Sequence, residues 1–213
     1  MNIQIFALLF RCLGKAGAAL LLLSLCTAES FAAGRWYQVE LIVFQQHGAT
    51  SERFYQTAHR IVWPRRLVEL SGYASLQALQ ANPVSYRKIR SADWTLHWSE
   101  RQLKRAGYAP ILHVSWLQQV GKNRVSNAVH IYTTDGQGDY PLNGYVRIQR
   151  GNYLHLLVDL EYTRDITDSD SGAFRSVVYR LQEKRRIKLN EIHYLDHPRF
   201  GVIAEVRPVT VGR

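Results

Sequence analysis

The chain has 213 residues, 46% of them hydrophobic, and its 27 Lys and Arg against 17 Asp and Glu give a formal charge of +10. Its only cysteines, Cys12 and Cys26, lie in the first 32 residues, which read as an export leader. Removal of that leader excludes disulfides, thiolate nucleophiles, zinc–thiolate sites and CxxC redox pairs, so packing alone must hold the fold.

In the leader, Arg11 and Lys15 precede an apolar stretch at residues 16–25, and Ser30-Phe31-Ala32 supplies small residues where a signal peptidase cuts. The apolar stretch is too short to span a bilayer. The expected product is a periplasmic protein beginning at Ala33, with residues 1–32 as cleaved signal peptide and residues 33–213 as one domain. Cys26 as a lipid attachment site is disfavoured by the bulky Leu25 before it. The leader takes two basic residues and one acid (Glu29) with it, leaving +9. An exported cation meets wall carboxylates, lipid headgroups and lipopolysaccharide phosphates rather than nucleic acid. No later apolar run approaches the length of a membrane span.

Residues 36–44 (WYQVELIVF) form a predicted interior strand, with Tyr37, Val39, Leu41 and Val43 on one face and Ile42 and Phe44 on the other. Residues 45–90 are broken by Gly48, Pro64, Gly72 and Pro83, with a short helix expected near 67–79. Ser91 suits an N-cap and Gly107 a C′ position, which predicts a long helix between them. On it Ala92, Leu96, Ser99, Leu103 and Ala106 share one face, and Trp94, Trp98, Arg101 and Arg105 share the opposite one. Residues 109–119 follow as a strand, with His113 and Trp116 as packing residues on its two faces. Residues 125–133 are its expected partner beyond the Gly121-Lys122-Asn123 turn. A hairpin pairs 142–149 with 153–162 around Arg150-Gly151-Asn152, and a polar loop at 165–172 leads to a strand at 174–183 with Val177, Tyr179 and Leu181 inward. The basic run Lys184-Arg185-Arg186 comes next, then a turn near 192–198 and a last strand at 200–206. The class is α+β: a single domain with a mainly antiparallel sheet and one long helix packed on it.

Indole faces cover sugar C–H surfaces and guanidinium groups grip carboxylates, so the Trp94, Trp98, Arg101, Arg105 stripe suits a charged glycopeptide; a second packing face is the alternative. Arg185 and Arg186 are further anion-binding candidates, because consecutive strand residues cannot all point inward. His193, Asp196 and His197 have a zinc-like H-x-x-D-H spacing, but Pro198 and the strand that follows favour a turn. Ser85-Tyr86-Arg87-Lys88 matches S-x-x-K without the companion motifs of that enzyme class, and the Asp168–Gly172 segment lacks the geometry of a calcium loop.

Four ordered blocks carry a resemblance: WYQVELIVFQQ at 36–46, AGYAPILHVSWLQQ at 106–119, GYVRIQRGNYLHLLVDLEY at 144–162 and RRIKLNEIHYLDHPRFGVIAEV at 185–206. Together the chain resembles the CsiV family of periplasmic peptidoglycan-binding proteins. The resemblance implies a non-enzymatic accessory of cell-wall assembly that has peptidoglycan as its ligand, needs no cofactor or metal, and is associated with a wall synthase or its outer-membrane lipoprotein activator. Two rivals stand beside it: a metal-dependent wall hydrolase using His193, Asp196 and His197, and a basic adaptor that docks acidic periplasmic proteins or lipopolysaccharide.

Overall fold

A computed structural model describes residues 34–46, 61–135, 139, 141–167, 172 and 174–212; the expected signal peptide and residues 168–171 of the acidic loop lie outside them. Strand β1 (Arg35–Gln45) is interior, as its two-sided apolarity predicts. It pairs antiparallel with β12 (Phe200–Val209) on one side and with β5 (Ala109–Val120) on the other. Strands β4 (Arg87–Ile89) and β3 (Ser71–Ala74) extend this sheet beyond β5, and β11 (Ile192–His197) closes its far edge, giving the order β11-β12-β1-β5-β4-β3. A second sheet runs β10 (Phe174–Ile187), β9 (Leu154–Thr167), β8 (Leu142–Arg150), β7 (Ala128–His130), β2 (Leu67–Val68), with β6 (Arg124–Val125) also on β8.

The domain therefore has two sheets where the sequence predicted one. Pairing is antiparallel except between β2 and β7 and between β3 and β4. The inward faces share a single core, in which Leu41, Trp116, Ile148, Leu156, Leu160 and Phe200 are fully buried. Residues 125–133 do not pair with β5, because β1 and β4 already occupy both of its edges. The chain crosses instead to β8, leaving β5 through a turn in which Asn123 takes φ +54°.

The outer face of the first sheet is covered by short helices rather than by one long one. Residues 67–79 give β2, β3 and then α1 (Leu76–Ala81), whose first turn is capped by Ser75 Oγ accepting from the Ala78 N–H at 3.2 Å. The predicted helix from Ser91 breaks after a 3-10 turn at Ser91–Asp93, where Trp94 is extended, and α2 covers only His97–Arg105. Its end does follow the sequence rule. Gly107 takes φ +84°, and its N–H donates to Lys104 O at 3.1 Å while that of Tyr108 donates to Leu103 O at 3.0 Å, a Schellman motif.

Candidate functional site

The break before α2 has a cause 55 residues away. The carboxylate of Glu40, on the outer face of β1 and only 1% exposed, accepts the N–H groups of Thr95 and Leu96, each at 2.9 Å. Leu96 is the N-cap residue of α2 and Thr95 precedes it, so a strand carboxylate holds the start of α2 in place of Ser91. Glu40 also accepts from His113 Nε2 at 2.8 Å, and the other ring nitrogen lies 2.9 Å from Glu100 Oε2 on α2. A ring set between two carboxylates satisfies both only with a proton on each nitrogen. Thr95 Oγ1 stands 3.0 Å from Glu40 and 2.5 Å from Glu205, and Glu205 is neutralised by Arg207 at 3.1 Å. Burial works against ionisation of Glu40, but the hydrogen bonds from His113, Thr95 and Leu96 outweigh it and hold the carboxyl below its usual range. Glu40, His113 and Glu205 come from three of the four blocks that carry the family resemblance.

This arrangement dissolves the Trp–Arg stripe. Trp94 is not on α2: its Nε1 donates to Ile89 O at 2.9 Å, and its ring lies 4.1 Å from that of His113 over the small core of Leu79, Ile89 and Leu117. Trp98, in the first turn of α2, is 63% exposed, and Arg101 and Arg105 are exposed beside it. Trp98 edges an apolar groove of about 340 Å³ with Leu103, Tyr108, Ile192 and Ile203. Trp94→Ala should therefore cost about 2 kcal/mol, and Trp98→Ala less than about 0.5 kcal/mol, in urea melts. Equal losses would show that the two rings share one packing role.

The basic run lies inside β10 instead of after it, so its side chains alternate. Arg185 is structural: its Nε donates to Glu183 at 2.6 Å and its Nη1 to the Tyr194 carbonyl at 2.6 Å, tying β10 to the edge of β11. Arg186 faces the other way, with its guanidinium 3.3 Å from the centroid of the Tyr153 ring. That ring is 53% exposed.

Around Arg186 the fold gathers a basic end. The start of β1, the turn after β5, the end of β8 and the end of β10 meet there, bringing Arg35, Lys122, Arg150, Arg186 and Lys188 around a depression of about 410 Å³. Tyr37, Leu154, Ile187 and Leu189 also line it. Arg150 is held in place by the Val120 carbonyl at 3.1 Å, and Lys188 has a loose partner in Glu191 at 3.3 Å. Arg35, Lys122, Arg150 and Arg186 meet no carboxylate among the described residues. Four uncompensated cations around one concavity set up a positive potential that draws anions, and the guanidinium groups of the three arginines offer paired donors to a carboxylate. Of these groups only Arg186 was a sequence candidate. Arg35, Lys122 and Arg150 are far apart in the chain, and the one signal in the sequence was that each sits next to a glycine: Gly34, Gly121 and Gly151.

The H-x-x-D-H segment is an extended edge strand, not a turn, so alternation sends His193 and Asp196 to opposite faces. Asp196 accepts from Tyr194 OH at 2.6 Å and from Gln46 Nε2 at 2.7 Å, while His193 Nε2 lies against the Lys188 backbone. Among the described residues no three His, Cys, Asp or Glu side chains form a metal-holding group.

The family model described as "Peptidoglycan-binding protein, CsiV" matches residues 17–209, nearly the whole chain. The chain belongs to the CsiV family. No curated protein and no solved structure matches it. The CsiV match takes in every strand of both sheets, so the capped helix and the basic end both fall within the family's domain. No described helix is long and apolar enough to cross a membrane.

Proposed function

We propose that this CsiV-family protein works in the periplasm as a non-enzymatic accessory of cell-wall assembly, binding peptidoglycan at its basic end. The observation that carries this reading is the set of uncompensated cations, Arg35, Lys122, Arg150 and Arg186, around a concavity with an exposed tyrosine ring. Peptidoglycan stem peptides present carboxylates at close spacing, and the sugars beside them present C–H faces. Guanidinium groups meet the first and the free face of Tyr153 meets the second. A wall synthase or its lipoprotein activator is the protein partner that would place such an accessory at the site of synthesis.

The test is co-sedimentation with purified sacculi. Lys122→Gln with Arg186→Gln should weaken binding about tenfold, the loss of two charge-assisted contacts. The melting temperature should move by no more than about 2 °C, since neither side chain supports the core. Raising salt from about 50 to 300 mM should weaken the wild type and flatten its difference from the variant. Arg185→Gln should instead lower stability, because it frees the Tyr194 carbonyl. Undiminished, salt-independent binding by the double variant would overturn the assignment of this end.

A further inference from the structure

A second concavity, on the side of the sandwich where β4 and β5 approach β7, has a different chemistry. It encloses about 350 Å³ between the two sheets. Leu70, Leu112, Val114 and Ile131 form an apolar floor, and Ile131 is 1% exposed. Its rim carries hydrogen-bonding groups of every kind: the Glu69 carboxylate, the Lys88 ammonium, the His130 ring and the hydroxyls of Tyr132, Thr133 and Thr134. These groups are braced. His130 is held between Glu69 and Asn143, the latter 2.8 Å from Nε2, and Lys88 Nζ lies 5.3 Å from the centroid of the Tyr73 ring.

One aromatic ring, that of Tyr132 at 38% exposure, lines this cleft, and two more exposed rings touch its lining residues: Trp63, 43% exposed, against His130, and Tyr73, 61% exposed, against Lys88. The Tyr132 ring lies 4.4 Å from that of His130 at a tilt of 30°, and Trp63 meets His130 edge-on at 5.5 Å, so both rings are fixed in direction. Exposed and oriented aromatic faces are costly to leave in water unless something covers them. With one lysine opposite one glutamate the rim is close to neutral, so it does not select an anion as the basic end does.

Aromatic faces, mixed donors and acceptors and a small apolar floor together match an uncharged saccharide. We infer that this cleft is a glycan subsite for an N-acetylated hexosamine, separate from the anion-binding end. The pyranose C–H face lies on Tyr132, the ring hydroxyls reach Glu69, Thr133 and Thr134, and the acetamide methyl meets Leu112 and Val114. The inference rests on the peptidoglycan reading and divides the ligand between two sites: neutral sugar here, charged peptide at the basic end.

The experiment is an amide chemical-shift titration of the mature protein with tetra-N-acetylchitotetraose, an uncharged oligomer, using maltotetraose as the control without acetamides. The expected result is saturable shifts at Leu70, Thr133 and Thr134, none at Tyr153 or Lys188, no change in affinity at about 300 mM salt, and little response to maltotetraose. Tyr132→Ala should weaken binding at least about fivefold, the effect of losing one stacking face. Thr134→Trp, at an exposed position, should block the cleft in a protein that still melts like the wild type. Absence of saturation at about 10 mM oligosaccharide, shifts centred elsewhere, or equal binding of maltotetraose would each overturn the subsite. The two readings fail separately. Sacculus binding without chitotetraose binding removes the cleft and leaves the basic end, whereas failure of the wild type to bind sacculi removes the peptidoglycan reading itself.

Discussion

Replacing Glu40 with alanine is expected to destabilise the protein by about 3–5 kcal/mol. The carboxylate is 1% exposed and serves the N–H groups of Thr95 and Leu96 together with His113. Its removal leaves buried donors without an acceptor and deletes the cap that starts α2. Glu40→Gln keeps one acceptor oxygen and should lose less. The pH dependence has a definite sign. Glu40 is held below the ordinary carboxylate value of 4.5 in spite of burial, and Glu100 is also lowered, first by its hydrogen bond to Lys104 and then, against burial, by His113. A carboxylate with a depressed folded-state pKa contributes stability above its unfolded pKa and loses it as pH falls through the folded value. Wild-type stability should therefore decline below about pH 4.5, and Glu40→Ala should decline less steeply over the same range. Urea melts at several pH values measure both slopes; equal slopes would show that Glu40 does not act as an ionised cap.

Gly144→Val should prevent folding or cost more than about 3 kcal/mol, and Gly144→Ala should already be severe. Gly144 takes φ +151° in the middle of β8, opposite Leu160 of β9. A Cβ there would lie 2.2 Å from the Asp159 carbonyl oxygen and 2.7 Å from Leu160 Cα, both backbone atoms. Neither can turn aside as a side chain could, so the two strands would have to part. They would separate beside Asp159, a buried residue whose carboxylate receives Arg180 through two hydrogen bonds of 2.7 and 2.8 Å. Loss of that pairing adds to the strain. Circular dichroism and thermal melts of the alanine variant are the check. A stable Gly144→Ala protein would mean that the β8–β9 pairing is slack at this point.

Most strands were legible because their signal is local. The clean alternation of Leu154, Leu156, Leu160 and Tyr162 marks β9 whatever it packs on, and the two-sided apolarity of residues 36–44 marks an interior strand. Gly107 likewise identified the end of α2, since only its own φ and the preceding turn matter. The start of that helix was misplaced because local capping chemistry at Ser91 lost to Glu40, a buried carboxylate on another strand. The expected Trp–Arg stripe failed with it: Trp94 and Trp98 share a face only if one helix runs through both.

The candidate site divides along the same line. Arg186 was picked out by its neighbours in the chain, but so was Arg185, and strand alternation within β10 separates them into a binding candidate and a structural tie. The sequence by itself determined the apolar alternation that makes strands, the glycine that stops the helix, the charge that draws anions and the blocks that mark the family. Tertiary structure alone decided that the strands divide into two sheets, that Glu40 starts α2 and that Arg35, Lys122, Arg150 and Arg186 share one concavity. The reason is physical: these depend on contacts between residues tens of positions or more apart, which form only when strand ends converge, and no local propensity records which ends will meet.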